Sequence, residues 1–89
     1  MLVMRIRDFD WDSRNLDHIA RHGVEPEEAE EAFLGRRLVF RAREGRHVLF
    51  GRSAAGRHLI VAFALSAGIA RVVTARDMTR SEKRRYRRG

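Results

Sequence analysis

Three groups of residues in this chain have types and spacings that suit chemistry. They are the histidines His18 and His22, the arginines Arg71 and Arg76, and the closing run Lys83-Arg84-Arg85-Tyr86-Arg87-Arg88. On a helix, His18 and His22 project from one side. A zinc site would need further ligands, and the glutamate of His-Glu-x-x-His is missing, so neither metal nor cofactor is expected. An imidazole that titrates near neutrality can act as acid or base, and His22 is the candidate. Its plainer role is to end a helix, where the protonated ring meets the C-terminal dipole. Arg71 and Arg76 are candidates for stabilising charge on a phosphate. Their positions differ by five, so regular alternation sends them to opposite faces of a strand. They meet on one face only if Arg76 lies past the strand or a bulge intervenes. Tyr86 can stack on an unpaired base or donate its hydroxyl to a phosphate; the alternative is a ring packed on the sheet. Arg52, Arg84, Arg87 and Arg41 are candidates for holding flanking backbone.

Charge is divided along the chain. Residues 1–35 carry four arginines and nine carboxylates, net −5, and residues 36–89 carry fifteen Arg or Lys and three carboxylates, net +12. So basic a segment attracts phosphate and gains free energy from counterion release. Only Lys83 is lysine, and arginine forks suit bidentate phosphate contacts. With 89 residues and 44% apolar content, one domain with a modest core is expected. There is no cysteine, which excludes disulfides and thiolate zinc sites. The longest apolar stretch, Leu59 to Ala67, is too short to span a bilayer. Met1–Met4 leads straight into Arg5 and Arg7, unlike a signal peptide, so a cytoplasmic protein is expected.

The elements that must position these groups follow from local pattern. Met4 to Asp10 reads as a strand, with Ile6 and Met4 inward and Arg5 and Arg7 outward. Asp12 or Ser13 caps a first helix with a Leu16, Ile19, Ala20 stripe that stops at Gly23. Trp11 is expected to pin strand to helix. Pro26 opens a second helix that buries Ala29, Ala32 and Phe33 and ends at Gly35. The period then becomes two. Strands are expected at 37–43, 46–52, 58–66 and 69–76, the first pair joined by a Glu44-Gly45 turn. Thr79-Arg80-Ser81-Glu82 is a capping box for a basic helix to Arg88. The fold class is α+β, in the order β-α-α-β-β-β-β-α, with an antiparallel meander covered on one face by the two N-terminal helices. The other face is expected to collect Arg41, Arg43, His47 and Arg71.

Phe9-Asp10-Trp11-Asp12, Arg14-Asn15, Arg21-His22-Gly23-Val24 and Glu27-Glu28-Ala29 resemble the opening of BrnT-type toxins. Gly51-Arg52 resembles the middle strand of that family, and Arg71–Arg76 with Glu82 and Tyr86 its closing motif. The resemblance spans about residues 9 to 86. This chain departs from the family in having Arg14 and Arg21 for Lys, His18 for Asn, Thr74 for Ser, and Asp77-Met78 for Lys-Ala. Asp77 puts a carboxylate beside Arg76, where an internal ion pair can form. The resemblance implies a RelE-like ribonuclease fold and metal-independent RNA cleavage that inhibits translation. It also implies a cognate antitoxin with a DNA-binding domain, through which alone the chain would meet operator DNA. A rival reading is a non-catalytic, antitoxin-binding co-repressor.

Overall fold

The computed structural model describes residues 5–89. Asp12 caps helix α1 (Ser13–Ala20), its carboxylate accepting from the backbone N–H groups of Arg14 and Asn15 while the Asn15 side chain accepts from the Asp12 N–H. The buried stripe differs from the expected one. Asn15 and Ile19 are buried, Leu16 is half-buried and Ala20 is exposed. The cause is the Asn15 amide, which donates to the carbonyls of Asp10 and Val72, both at 2.9 Å, and so turns that side of the helix to a strand edge. Helix α2 (Pro26–Glu31) starts on Pro26 and has Glu27 and Glu28 in its first turn. It ends at Glu31, before Gly35, and a turn carries Ala32 and Phe33 into the core and leaves Leu34 exposed. Trp11 pins the entry to α1 onto α2, donating its indole N–H to Glu30 at 2.7 Å.

The strands are β1 (Asp8–Phe9), β2 (Leu38–Arg41), β3 (Arg46–Arg52), β4 (His58–Ser66) and β5 (Ile69–Asp77), followed by helix α3 (Arg80–Arg88). The capping box is present, with Thr79 accepting from the Glu82 N–H. Glu44 and Gly45 both have positive φ, 61° and 72°, which gives the β2–β3 hairpin the twist its strands need. The first strand is shorter than the expected Met4–Asp10; Ile6 is half-buried, Arg5 and Arg7 are exposed, and Met4 lies outside the described residues.

Sheet order is β1-β5-β4-β3-β2. Strands β2 to β5 form the expected meander, while β1 adds to β5 in parallel, so the sheet is mixed. A parallel neighbour requires a long crossover, which the two helices and three strands between β1 and β5 supply. One core lies under α1 and α2, around Ile19, Phe33, Leu49, Val61, Phe63 and Val72. A second lies under α3, around Phe50, Ile60, Met78 and Tyr86. Gly51 lets the two layers approach, because a Cβ there would collide with the Ala32 carbonyl.

This double packing corrects the expected basic face. His47 stacks on Phe63, ring centroids 5.4 Å apart, on the α1–α2 side. Arg41 is its register partner and leaves from that same side. Arg71 pairs with Ala64 and leaves from the α3 side.

Candidate active site

A cleft of about 680 Å³ lies between the α2–β2 connection, the β3–β4 loop and α3. Arg36, Arg52 and Arg87 bring guanidiniums to it, and His58 and Tyr86 form part of its wall. Arg52 and His58 are register partners across β3 and β4. The intervening loop is held closed by the Ser53 hydroxyl, which accepts from the Arg57 N–H at 3.0 Å, and by Glu31, which accepts from the Ala54 N–H at 3.0 Å.

His58 is half-buried, edge-on to the Tyr86 ring at 5.7 Å. Burial, and then the charges of Arg52, Lys83 and Arg87, hold its imidazole below the ordinary histidine range. A neutral imidazole among cations is a proton acceptor at physiological pH. Tyr86 is buried and its hydroxyl donates to the Arg36 carbonyl at 2.8 Å. The Arg36 guanidinium lies 4.5 Å above the Tyr86 ring and donates to the Tyr86 carbonyl at 2.5 Å. That reciprocal clasp fixes one fork of the cleft against α3.

A bulge leaves Val73 unpaired, between Val72 opposite Phe63 and Thr74 opposite Ala62. Arg71, opposite Ala64, and Arg76, opposite Ile60, therefore share a face. Each is nevertheless held by carboxylates. Arg71 reaches Asp12 at 2.9 Å and Asp10 at 3.4 Å. Arg76 makes a two-pronged pair with Glu82 at 2.8 and 2.9 Å, which holds the Glu82 carboxyl down to about 2. Asp77 pairs instead with Arg57, at 2.7 Å, because neighbouring strand side chains point to opposite faces. Arg57 also reaches Glu28 at 3.1 Å.

Arg52, Arg87 and Tyr86 come together in the cleft; Arg71, Arg76, Arg84, Arg41 and His22 do not line it. His22 is exposed, and its carbonyl accepts from Arg57 at 3.3 Å. Arg84 and Arg41 are exposed, on α3 and on the edge strand β2. His58 and Arg36 are not among the residues that the sequence pattern singles out. The signal for His58 was available: two strands of known bounds joined by a short loop put Arg52 opposite His58.

Among the described residues, fold and cleft together define a small α+β protein with three helices, a five-stranded mixed sheet and an arginine-rimmed, histidine-bearing concavity suited to a polyanion. The chain belongs to the family described as the ribonuclease toxin, BrnT, of type II toxin–antitoxin systems, whose sequence model matches residues 11–82. Among solved structures, that of the Brucella abortus ribonuclease toxin BrnT is similar in fold, with 22% identity and a TM-score of 0.65 over 88% of this chain and 100% of that one. No curated protein matches the chain. Membership makes the protein a ribonuclease toxin by family, with a protein antitoxin as its counterpart. Among the described residues no helix is long and apolar enough to cross a membrane.

Proposed function

We propose that this protein is a metal-independent endoribonuclease that cuts RNA in the cleft around His58, inhibits translation, and is restrained by an antitoxin that carries the DNA-binding domain. The observation that carries this reading is one imidazole, held neutral, among the guanidiniums of Arg36, Arg52 and Arg87. RNA supplies its own nucleophile. His58 takes the proton of a 2′-hydroxyl, whose oxygen attacks the adjacent phosphorus. The bond from phosphorus to the 5′-oxygen breaks, and that oxygen takes a proton from solvent. The products are a 2′,3′-cyclic phosphate and a 5′-hydroxyl. Arg52 and Arg87 stabilise the charge that builds on the phosphorane, and Arg36, clasped by Tyr86, presents a fixed fork to it. Arg76 acts through α3: its pair with Glu82 anchors the helix that carries Arg87. Action on RNA being translated places the work in the cytoplasm.

The test is purified protein with single-stranded RNA and excess chelator. Products ending in cyclic phosphate are expected. The rival reading, a binding module without chemistry, draws on the ion pairs that occupy Arg71 and Arg76. Tight RNA binding with no products would decide for it.

A further inference from the structure

A second, smaller concavity of about 220 Å³ lies away from the cleft, at the junction of α1, β3 and β5. Arg14, His18, Arg46 and Arg71 line it. Arg46 and Arg71 are both register partners of Ala64, one on either side, so their side chains leave from one face of the sheet. Arg71 is already oriented by Asp10 and Asp12. The Asn15 amide ties α1 to the β5 edge through the Val72 carbonyl, which fixes Arg14 and His18 relative to Arg71. Among the described residues, neither Arg14 nor Arg46 has a carboxylate within ion-pair distance.

We infer that Arg14, Arg46, Arg71 and His18 form a second phosphate subsite, which holds the RNA backbone at a distance from the bond that is cut; this rests on the ribonuclease reading above. A tetrahedral phosphate accepts forks from several directions at once, as guanidiniums from three elements provide here. A planar carboxylate is well served by one fork, and Arg71 already has two carboxylates. The subsite and the cleft are joined by β3. Arg46 and Arg52 lie six residues apart on it and leave from the same face, which separates them by about 20 Å. The substrate this arrangement selects is therefore a single strand several nucleotides long, gripped at both places. A dinucleotide fills only the cleft.

The test compares the parent with the Arg14→Gln/Arg46→Gln variant on non-cleavable 2′-O-methyl RNA, as a strand of about twelve nucleotides and as a dinucleotide. The variant is expected to bind the long strand about tenfold more weakly and the dinucleotide equally well. The slope of log affinity against log salt should fall by about 1.4 for the long strand, two phosphate contacts at ~0.7 each. Equal affinity of both proteins for the long strand overturns the subsite, as does an equal loss for the dinucleotide. So does a loss seen only with a polyglutamate peptide. Because binding is read without turnover, a protein that never cuts RNA sinks the catalytic reading and leaves this result standing. A titration of the parent with inorganic phosphate, followed by the His18 imidazole resonances, checks the site without any substitution. Those resonances should move, and movement of His58 alone overturns the proposal.

Discussion

Arg52 and His58 face each other as a register pair at the end of the β3–β4 hairpin, one supplying permanent charge and the other a titratable ring. The pairing does more than bring two groups together. The Arg52 charge opposes protonation of His58, so the residue that draws in phosphate also keeps the base free. Tyr86 and Arg36 close the other side of the cleft by gripping one another. The site thus draws on two strands, helix α3 and one clasped connection.

His58→Gln is expected to lower the cleavage rate by about 10²- to 10⁴-fold, the usual contribution of a positioned acid or base. Affinity for non-cleavable RNA should change little, since the guanidiniums remain. Single-turnover cleavage and fluorescence anisotropy measure the two separately. A variant that cuts at the parental rate removes His58 from the mechanism.

The pH dependence follows from the direction of the His58 shift. Its folded value lies below the ordinary 6.5, so the free base persists into mildly acidic solution. The midpoint of the acid decline in cleavage should therefore lie below 6.5. Burial is the largest cause of the shift and Arg52 the next. Arg52→Gln should therefore raise the His58 midpoint, followed by NMR, without restoring it fully to 6.5. An unmoved midpoint would mean that Arg52 does not act on the ring.

How much of this was legible in sequence depends on the range of the interaction. The bounds of β3 and β4, the Glu44-Gly45 turn and the Thr79 capping box rest on neighbouring residues, and the pattern revealed them. Asn15 was passed over because a search for an apolar stripe discounts an amide, although its two carbonyl partners bury it. The bulge at Val73 lies inside the apolar Val72-Val73 pair, where alternation gives no clue to a skipped residue. The cleft draws on residues from Glu31 to Arg87 that only the tertiary fold brings together. Arg76 and Glu82 pair around the corner between β5 and α3, a geometry that linear spacing does not specify.

Tyr86→Phe should keep the ring in the second core and lose the hydrogen bond to the Arg36 carbonyl. Leaving that half-buried acceptor unmet costs about 1–2 kcal/mol, which urea unfolding can measure. The connection that carries Arg36 should loosen too, raising the KM for RNA more than it lowers kcat. Unchanged stability would show that water replaces the hydroxyl without penalty.

Glu82 links acid stability to the same helix. Its folded value of about 2 lies below the unfolded 4.5, through the two-pronged bond from Arg76 and the N–H of Thr79. A depressed carboxyl contributes stability that is complete above its unfolded value and is lost as pH falls through the folded one. The window is therefore about pH 5 down to 2. The amount is on the order of 1–2 kcal/mol, since solvent reaches Arg76 and screens the pair. Glu82→Gln should lower the melting temperature at pH 7 and flatten its decline between pH 5 and 2. Because α3 carries Tyr86 and Arg87, the same change should weaken RNA binding at neutral pH. Parallel melting curves for the two proteins across that range would place the acid-sensitive contact elsewhere, leaving the Asp77 pair with Arg57 as the next contact to remove.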